Sequence, residues 1–354
     1  MGFCYYAYHS HTNGKHMRNI LNTIAIDVMG GDNGPLCVLQ GVSLALKNNP
    51  DLSVVLAAEN AIIEQFEIEW QQKWGDRCEW LSCGESILME DAPSSVLRSK
   101  KNASLREILN LVAQEKAGGC VSSGNTGALM ALSRLILKTL PGIDRPAIVR
   151  ALPSVSGRTY MLDLGANISA TAENLFQFAV MGHALYSAVE PHNQKPKMGL
   201  LNVGVEQIKG HDSVRHASTL LEKSDLNYIG FVEGNDIFLG DVDIIITDGF
   251  TGNTVLKACE GLSSFVLAKV KQSLPKSLLK LSSWFGRGKT GGFQTELNPE
   301  NYNGASLLGV NGVVVKSHGS SSSRGISIAI SAALAESRAQ IPARIAEYLE
   351  SVPE

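Results

Sequence analysis

The sequence predicts an α/β protein: three layers, with a mainly parallel, Rossmann-like sheet, helices on both faces and some inserted helices. Three observations predict it. Apolar, β-rich runs alternate with helical patterns along almost the whole chain, the order that builds parallel sheets. Most of those runs are continuously apolar, as strands covered on both faces must be. Many end in turns of Gly, Asn and Asp, and in such folds ligands sit beyond the carboxyl ends of the strands.

The first strand is TIAIDVM from Thr23, followed by GGDNGP and a helix over Leu36–Lys47. LSVVLAA from Leu52 and a helix over Ala61–Trp74 repeat the unit. Helical patterns over Ala103–Lys116 and Thr126–Lys138 flank a short apolar run that enters SSGNTGAL. AIVRALP from Ala147 and TYMLDLG from Thr159 are strands, and Thr171–Val189 is a long helix. KMGLLNVG from Lys197, a helix over Val214–Lys223, YIGFVE from Tyr228, VDIIITD from Val242 and GVVVKSH from Gly312 complete the series. No low-complexity linker or solenoid repeat interrupts it, so residues 21–354 read as one domain.

Residues 1–20 read as a disordered extension with no signal-peptide core, and Met17 could be the initiator. Gly2 lacks the Ser or Thr at position 6 that myristoylation uses, and His9, His11 and His16 are metal ligands only in principle. At 44% hydrophobic, 18% charged and a net charge of −3, the chain has ample core and no basic bulk for nucleic acid. The six cysteines form no C-x-x-C pair and read as buried thiols of a cytosolic protein. No apolar run reaches 18 residues, so no spanning helix is predicted.

If the strands all point one way, five strand ends meet on one rim. Asp27, Gly30, Gly31, Asp32 and Asn33 follow the first; Asp163, Gly165 and Asn167 lie in LDLGAN; Asn202 and Gly204 lie in LLNVG. TDGFTGN brings Asp248, Thr251, Gly252 and Asn253, and VKSHGSS brings Lys316, His318, Gly319 and Ser320. GNTGAL and FTGNTVL run straight into helical patterns, whose first-turn N–H groups hold anions without a cationic side chain. A phosphate or a developing oxyanion is the guest such turns suit. Gly, Asn and Asp also serve simply as turn and cap residues. GRGKTG at Gly286–Gly291 matches a dinucleotide fingerprint but follows no strand, and H-E-x-x-H and G-x-S-x-G are absent.

AIDVMGGDNGP, SSGNTGALM, GIDRPAI, LDLGAN, GLLNVG, TDGFTGN, YNGASLLG and VKSHGSS occur in the order found in the phosphate acyltransferases of bacterial phospholipid synthesis, the PlsX type. The chain resembles that family from Ile24 to about Arg324. Ser169 and Ser123 depart from the family's usual Asp and Ala. The resemblance implies the fold type of phosphotransacetylases and isocitrate/isopropylmalate dehydrogenases. It implies an acyl transfer from acyl carrier protein to inorganic phosphate, giving acyl phosphate for glycerol-3-phosphate acylation. It also implies a homodimer in the cytoplasm, at the inner face of the membrane beside a glycerol-3-phosphate acyltransferase, with no cofactor and no metal.

Phosphate is already anionic and a thiolate leaves readily, so the task is positioning and oxyanion stabilisation. On that chemistry phosphate is expected at the GNTG turn (Asn125, Thr126, Gly127) and the DGFTGN turn (Thr251, Gly252, Asn253). Lys100 or Lys101, Lys257 and Lys316 would supply charge. His318 would protonate the thiolate or donate to the oxyanion, with Asp163 and Asp248 orienting partners. The expected catalytic set is His318, Asn253, Asp248 and Lys257. Gly30, Gly31, Asp32, Lys100, Asn125, Thr126, Gly127, Asp163, Asn167, Thr251, Gly252, Lys316, Gly319 and Ser320 are expected to line the phosphate and thioester. Covalent routes through Ser320 or Cys120, a short-chain acyl-CoA phosphotransacylase, a dehydrogenase and a non-catalytic scaffold are the alternatives.

Between Gly261 and Thr295 there is no acid, while Lys269, Lys271, Lys276, Lys280, Arg287 and Lys289 accompany Leu274, Leu278, Leu281 and Phe285 at helical spacing. This basic amphipathic insertion, about 269–290, suits an anionic membrane, an acidic carrier protein or a dimer partner.

Overall fold

The computed structural model of the chain describes residues 19–190, 192–273 and 299–351. The tail before residue 19, the amphipathic segment from 274 to 290 and GRGKTG at Gly286–Gly291 lie outside them. The strands are β1 (Thr23–Asp27), β2 (Ser53–Glu59), β3 (Cys78–Cys83), β4 (Gly119–Ser122), β5 (Ala147–Ser154), β6 (Gly157–Leu162), β7 (Met198–Leu201), β8 (Tyr228–Val232), β9 (Ile244–Ile246), β10 (Ala305–Leu308) and β11 (Val313–Lys316). The helices are α1 (Gly34–Asn48), α2 (Asn60–Trp74), α3 (Pro93–Arg98), α4 (Ser104–Ala113), α5 (Thr126–Ile136), α6 (Ala172–Val189), α7 (Asp212–Glu222), α8 (Gly249–Ser273), α9 (Ser323–Arg338) and α10 (Ile341–Ser351).

The eleven strands of the described residues form one sheet, in the order β3-β2-β1-β4-β11-β10-β5-β6-β9-β7-β8. Seven of its ten strand pairs are parallel, as the continuous apolar runs imply. The other three, β11–β10, β10–β5 and β5–β6, are antiparallel and reverse the direction of the sheet. Val155 and Ser156 alone link β5 to β6, too short a link for a parallel crossover, so these strands make a hairpin. Three strands escape the periodicity argument. β3 is a half-exposed edge strand, β4 has only four residues, and so does β10.

One transverse row of register pairs crosses the sheet: Ile26, Val121, Val315, Ser306, Val149, Leu162, Ile246 and Leu200. Strands β1, β4, β11 and β5 pass this row in one direction, reaching Asp27, Ser122, Lys316 and Arg150. Strands β6 and β9 pass it in the other, reaching Asp163 and Thr247. The expectation of five strand ends on one rim is therefore corrected: they fall on opposite edges.

Alternation sorts the sheet's faces. Ala25, Cys120, Val314, Ile148, Met161 and Ile245 face α4, α5 and the start of α8 in one continuous core. On the other face Ile24, Ile26, Val121 and Val315 pack under α1 and α9, and Leu162, Ile244 and Ile246 pack under α6 and α10. Each fully buried Ile, Leu or Phe contributes about 1.5–3 kcal/mol. Gly41 lets α1 and α9 cross closely, since a Cβ there would lie 2.7 Å from Ile326.

Candidate active site

Period-two alternation puts Asp27, Ser122, Lys316 and Arg150 on the face shared with α4, α5 and α8, one residue past the transverse row. A polar stripe thus crosses an otherwise apolar face. Asp27 is its acid. It is buried and accepts from Ser104 Oγ at 2.6 Å and Ser122 Oγ at 2.7 Å. Burial raises its carboxyl, against those hydroxyls.

Three turns interlock beside it. Asp32 N donates to Gly319 O at 2.8 Å, and Ser317 N to Ser122 O at 2.9 Å. Asn33 Nδ2 donates to the Ser320 and Ser321 carbonyls, and Ser123 Oγ to Gly30 O at 2.9 Å. Gly30 is required by crowding, because a Cβ would lie 2.7 Å from both Asp27 Oδ2 and Gly124 N. Gly31 has a φ of +97°, a conformation open to glycine. Gly319 has Asp32 against its missing side chain. Glycines 30, 31 and 319 and Asp32 therefore come together, as a frame around Lys316 and His318.

Lys316 is buried, and its ammonium donates to Ser317 O. Burial drives it down to about 8, opposed by Asp27 and Asp32 and reinforced by Lys257. His318 sits at the mouth, its backbone N–H on Asn303 Oδ1 at 3.1 Å. Its Nδ1 lies 2.9 Å from Ser320 Oγ, and its Nε2 lies 3.5 Å from Lys257 Nζ. Lost solvent and then Lys257 lower the imidazole, with Lys316 and Arg150 adding to this and Glu260 opposing it. His318 is therefore neutral around pH 7.

Lys257 reaches His318 from α8. That helix starts beyond the carboxyl end of β9 and gains about 12 Å between Gly249 and Lys257. Its Lys257 Nζ pairs with Glu260 Oε2 at 2.9 Å, and Glu260 Oε1 with Arg150 Nη1 at 2.9 Å. Arg150 and Glu260 are functional candidates that sequence reasoning missed. The available signal was a single charge inside the apolar run AIVRALP. Glu260 carried none, being one of many helix-surface acids.

The remaining expected residues divide. At α5, Asn125 is the cap: Oδ1 accepts from Ala128 N at 3.0 Å, and Nδ2 donates to the carbonyls of Leu88, Met89 and Asp91. Its polar atoms are used by the protein, whereas Thr126 is exposed and the N–H groups of Thr126 and Gly127 have no partner within the helix. Pro93 packs closely on Gly127. Lys100 pairs with Asp91 at 3.2 Å and donates to Ser86 O at 2.6 Å, which pins the 86–101 segment.

At α8 the cap is an acid. Asp248 accepts from Thr251 N at 2.9 Å and Thr251 Oγ1 at 2.7 Å, and Gly249 N donates to Asn167 O at 2.8 Å. An anion bound there would meet a carboxylate. Asp163 takes five donors, from Ile148, Gly165, Ala166 and the backbone and side chain of Asn167. The Asn167 amide also donates to Pro146 O at 2.8 Å. Asp163, Asn167, Thr251, Gly252 and Asp248 thus build the joint between this loop and α8. Asn253 is exposed beside Gly165, and its side chain has no hydrogen-bond partner among the described residues. Five strand spacings, roughly 24 Å, separate β4 from β9, so the GNTG and DGFTGN turns do not share one phosphate.

Among the described residues no group of His, Cys, Asp or Glu is placed to hold a metal, and no helix is long and apolar enough to cross a membrane.

The model of a family described as fatty acid synthesis protein matches residues 22–344. The chain is 45% identical over 333 residues to a phosphate acyltransferase of Methylococcus capsulatus, covering 94% of this chain and 98% of that one. It is 47% identical over 325 residues to a phosphate acyltransferase of Legionella pneumophila, covering 90% and 93%. In fold it is similar to a phosphotransacetylase from Streptococcus pyogenes, with a TM-score of 0.58 at 18% identity over 90% of this chain and 94% of that one. EutD phosphotransacetylase from Staphylococcus aureus gives 0.56 at 16% identity over 91% and 96%.

Proposed function

The chain belongs to the fatty acid synthesis protein family, and from that membership we propose that it moves an acyl group from a carrier-protein thioester to inorganic phosphate. The acyl phosphate then serves glycerol-3-phosphate acylation in phospholipid synthesis. Acyl transfer to phosphate is its activity, and the chain is an acyltransferase. The supporting observation is the convergence of Lys257, Lys316 and neutral His318 at the mouth of the polar stripe.

An oxygen of hydrogen phosphate attacks the thioester carbonyl; the C–O bond forms, the carbonyl oxygen becomes an oxyanion, and as C=O re-forms the C–S bond breaks to release a thiolate, which takes up the proton shed by the hydrogen phosphate. Lys257 and Lys316 meet the charge of phosphate and oxyanion. The turns after β1 and β11, including Gly30, Gly31, Asp32, Gly319 and Ser320, keep this corner rigid.

A covalent route fits the site less well. Cys120 is fully buried, and burial pushes its thiol far above the usual range, which leaves it inert. Ser320 does touch His318, but the other imidazole nitrogen faces the Lys257 ammonium, where a nucleophilic triad places an acid. A cation there weakens the base. With a carrier-bound thioester radiolabelled in its acyl chain, a single turnover is expected to label acyl phosphate and leave the polypeptide unlabelled. Label retained on the denatured protein would overturn direct attack, and turnover with a CoA thioester alone would overturn the carrier donor.

The state of Lys316 sets a pH dependence. Its ammonium is present below about 8 and lost as pH rises through that value. The KM for phosphate should therefore climb above pH 8 in the parent protein and stay flat in Lys316→Arg, whose charge does not titrate there. Parallel profiles for the two proteins would remove Lys316 from the phosphate site.

Membrane and carrier contacts draw on α8 as well. Leu262 and Phe265 are exposed on it, with the Lys269 ammonium 5.8 Å from the Phe265 ring centroid, directly before the basic segment 274–290. Peripheral attachment and a homodimer are the assembly this reading adopts.

A further inference from the structure

Five contacts, closed by the Tyr302–Asn303 peptide bond, form a ring that joins the two oppositely directed parts of the sheet. Arg150 on β5 donates through Nε to Tyr302 O at 2.6 Å and through Nη1 to Glu260 Oε1 at 2.9 Å. Glu260 Oε2 receives Lys257 Nζ at 2.9 Å, and that ammonium stands 3.5 Å from His318 Nε2. The backbone of His318 returns to Asn303, the neighbour of Tyr302. The ring is not a local feature: Arg150 and Glu260 are 110 residues apart, and Lys257 and His318 are 61 apart.

We propose that Glu260, anchored by Arg150, is a positioning residue for acyl transfer: its carboxylate holds the Lys257 ammonium at His318 and so assembles the charged corner across the two halves of the fold. The proposal rests on the phosphate acyltransferase reading of this site.

The geometry separates this role from simple stabilisation. The Lys257 side chain is 54% exposed, and a long exposed lysine on its own samples many rotamers. Glu260 limits it to one direction. The carboxylate divides its oxygens, one to the buried arginine and one to the exposed lysine, so Arg150 fixes Glu260 and Glu260 fixes Lys257. A buried ion pair is weak evidence for stability, because desolvation offsets the attraction. Burial pushes the Glu260 carboxyl up, but Lys257 and Arg150 outweigh it, so the group stays ionised at neutral pH. Glu260 raises the His318 imidazole, which Lys257 from α8, Lys316 from β11 and Arg150 from β5 lower.

Glu260→Gln tests the proposal with a readout beyond turnover. Loss of the carboxylate frees the Lys257 ammonium, whose lowering of the imidazole exceeds the opposing effect of Glu260, so the His318 pKa, followed by NMR, should rise relative to the parent. Turnover at saturating thioester should drop roughly 10- to 100-fold through misplacement of Lys257. Glu260→Asp, which keeps the charge, should recover part of both. An unmoved His318 titration together with parental turnover in a folded Glu260→Gln protein would overturn the proposal. If Glu260→Gln strands the Arg150 charge and the protein unfolds, the double variant Arg150→Met with Glu260→Met removes the pair together. It should fold and still lose turnover, and parental turnover in it would be equally decisive against Glu260. A parent protein that forms no acyl phosphate at all would instead sink the functional reading.

Discussion

Lys257→Met is expected to lower kcat/KM for phosphate by about two to three orders of magnitude while leaving the protein folded. The loss is that of a charged donor aimed at a developing oxyanion, typically worth about 10²- to 10³-fold. Stability should change by less than about 0.5 kcal/mol, because an exposed ion pair contributes little and Glu260 retains Arg150. Lys257→Arg should keep part of the activity, since its charge persists but its fork no longer matches the 3.5 Å approach to His318. Steady-state acyl-phosphate release alongside thermal unfolding measures both quantities. Activity within twofold of the parent would take Lys257 out of the chemistry.

Gly252→Ala carries the largest expected effect on stability. A methyl group at that position would overlap the carbonyl oxygen of Asp163, and neither backbone can give way without breaking the joint. On one side is the acid-capped first turn of α8. On the other is the loop in which Asp163 takes five donors. Overpacking of this kind costs about 3 kcal/mol, which for a chain of 354 residues lowers Tm by roughly 4 °C. Activity should fall together with the folded fraction, because displacement of α8 also displaces Lys257. A parental Tm with a raised KM for phosphate would return Gly252 to ligand binding, the role its sequence context suggested.

These two positions show how far a sequence reading extends. TDGFTGN was identifiable as a strand end entering a helix, and it is one. Its Gly, Thr and Asp looked like an anion cradle because a cradle and a tight helix joint use the same residues for the same reason: glycine admits a close backbone approach, and small polar side chains satisfy first-turn N–H groups. Only the partner tells them apart, and here the partner is the Asp163 loop. GNTG presents the mirror case. Its Asn125 is spent on the cap and on the 88–91 carbonyls, while Thr126 stands exposed, open to a ligand.

By itself the sequence determined the α/β class, the order of the glycine-rich strand ends, the kinship with phosphate acyltransferases and the candidacy of Lys257, Lys316 and His318. Burial pattern and local turn chemistry are written residue by residue, so they survive without coordinates. Tertiary structure alone decided that the sheet reverses direction, that LDLGAN and DGFTGN form a joint, and that Arg150 and Glu260 join the charged corner at His318. Strand direction and charge pairing depend on which distant segments become neighbours. A period of two or 3.6 residues holds no record of a partner 110 residues away.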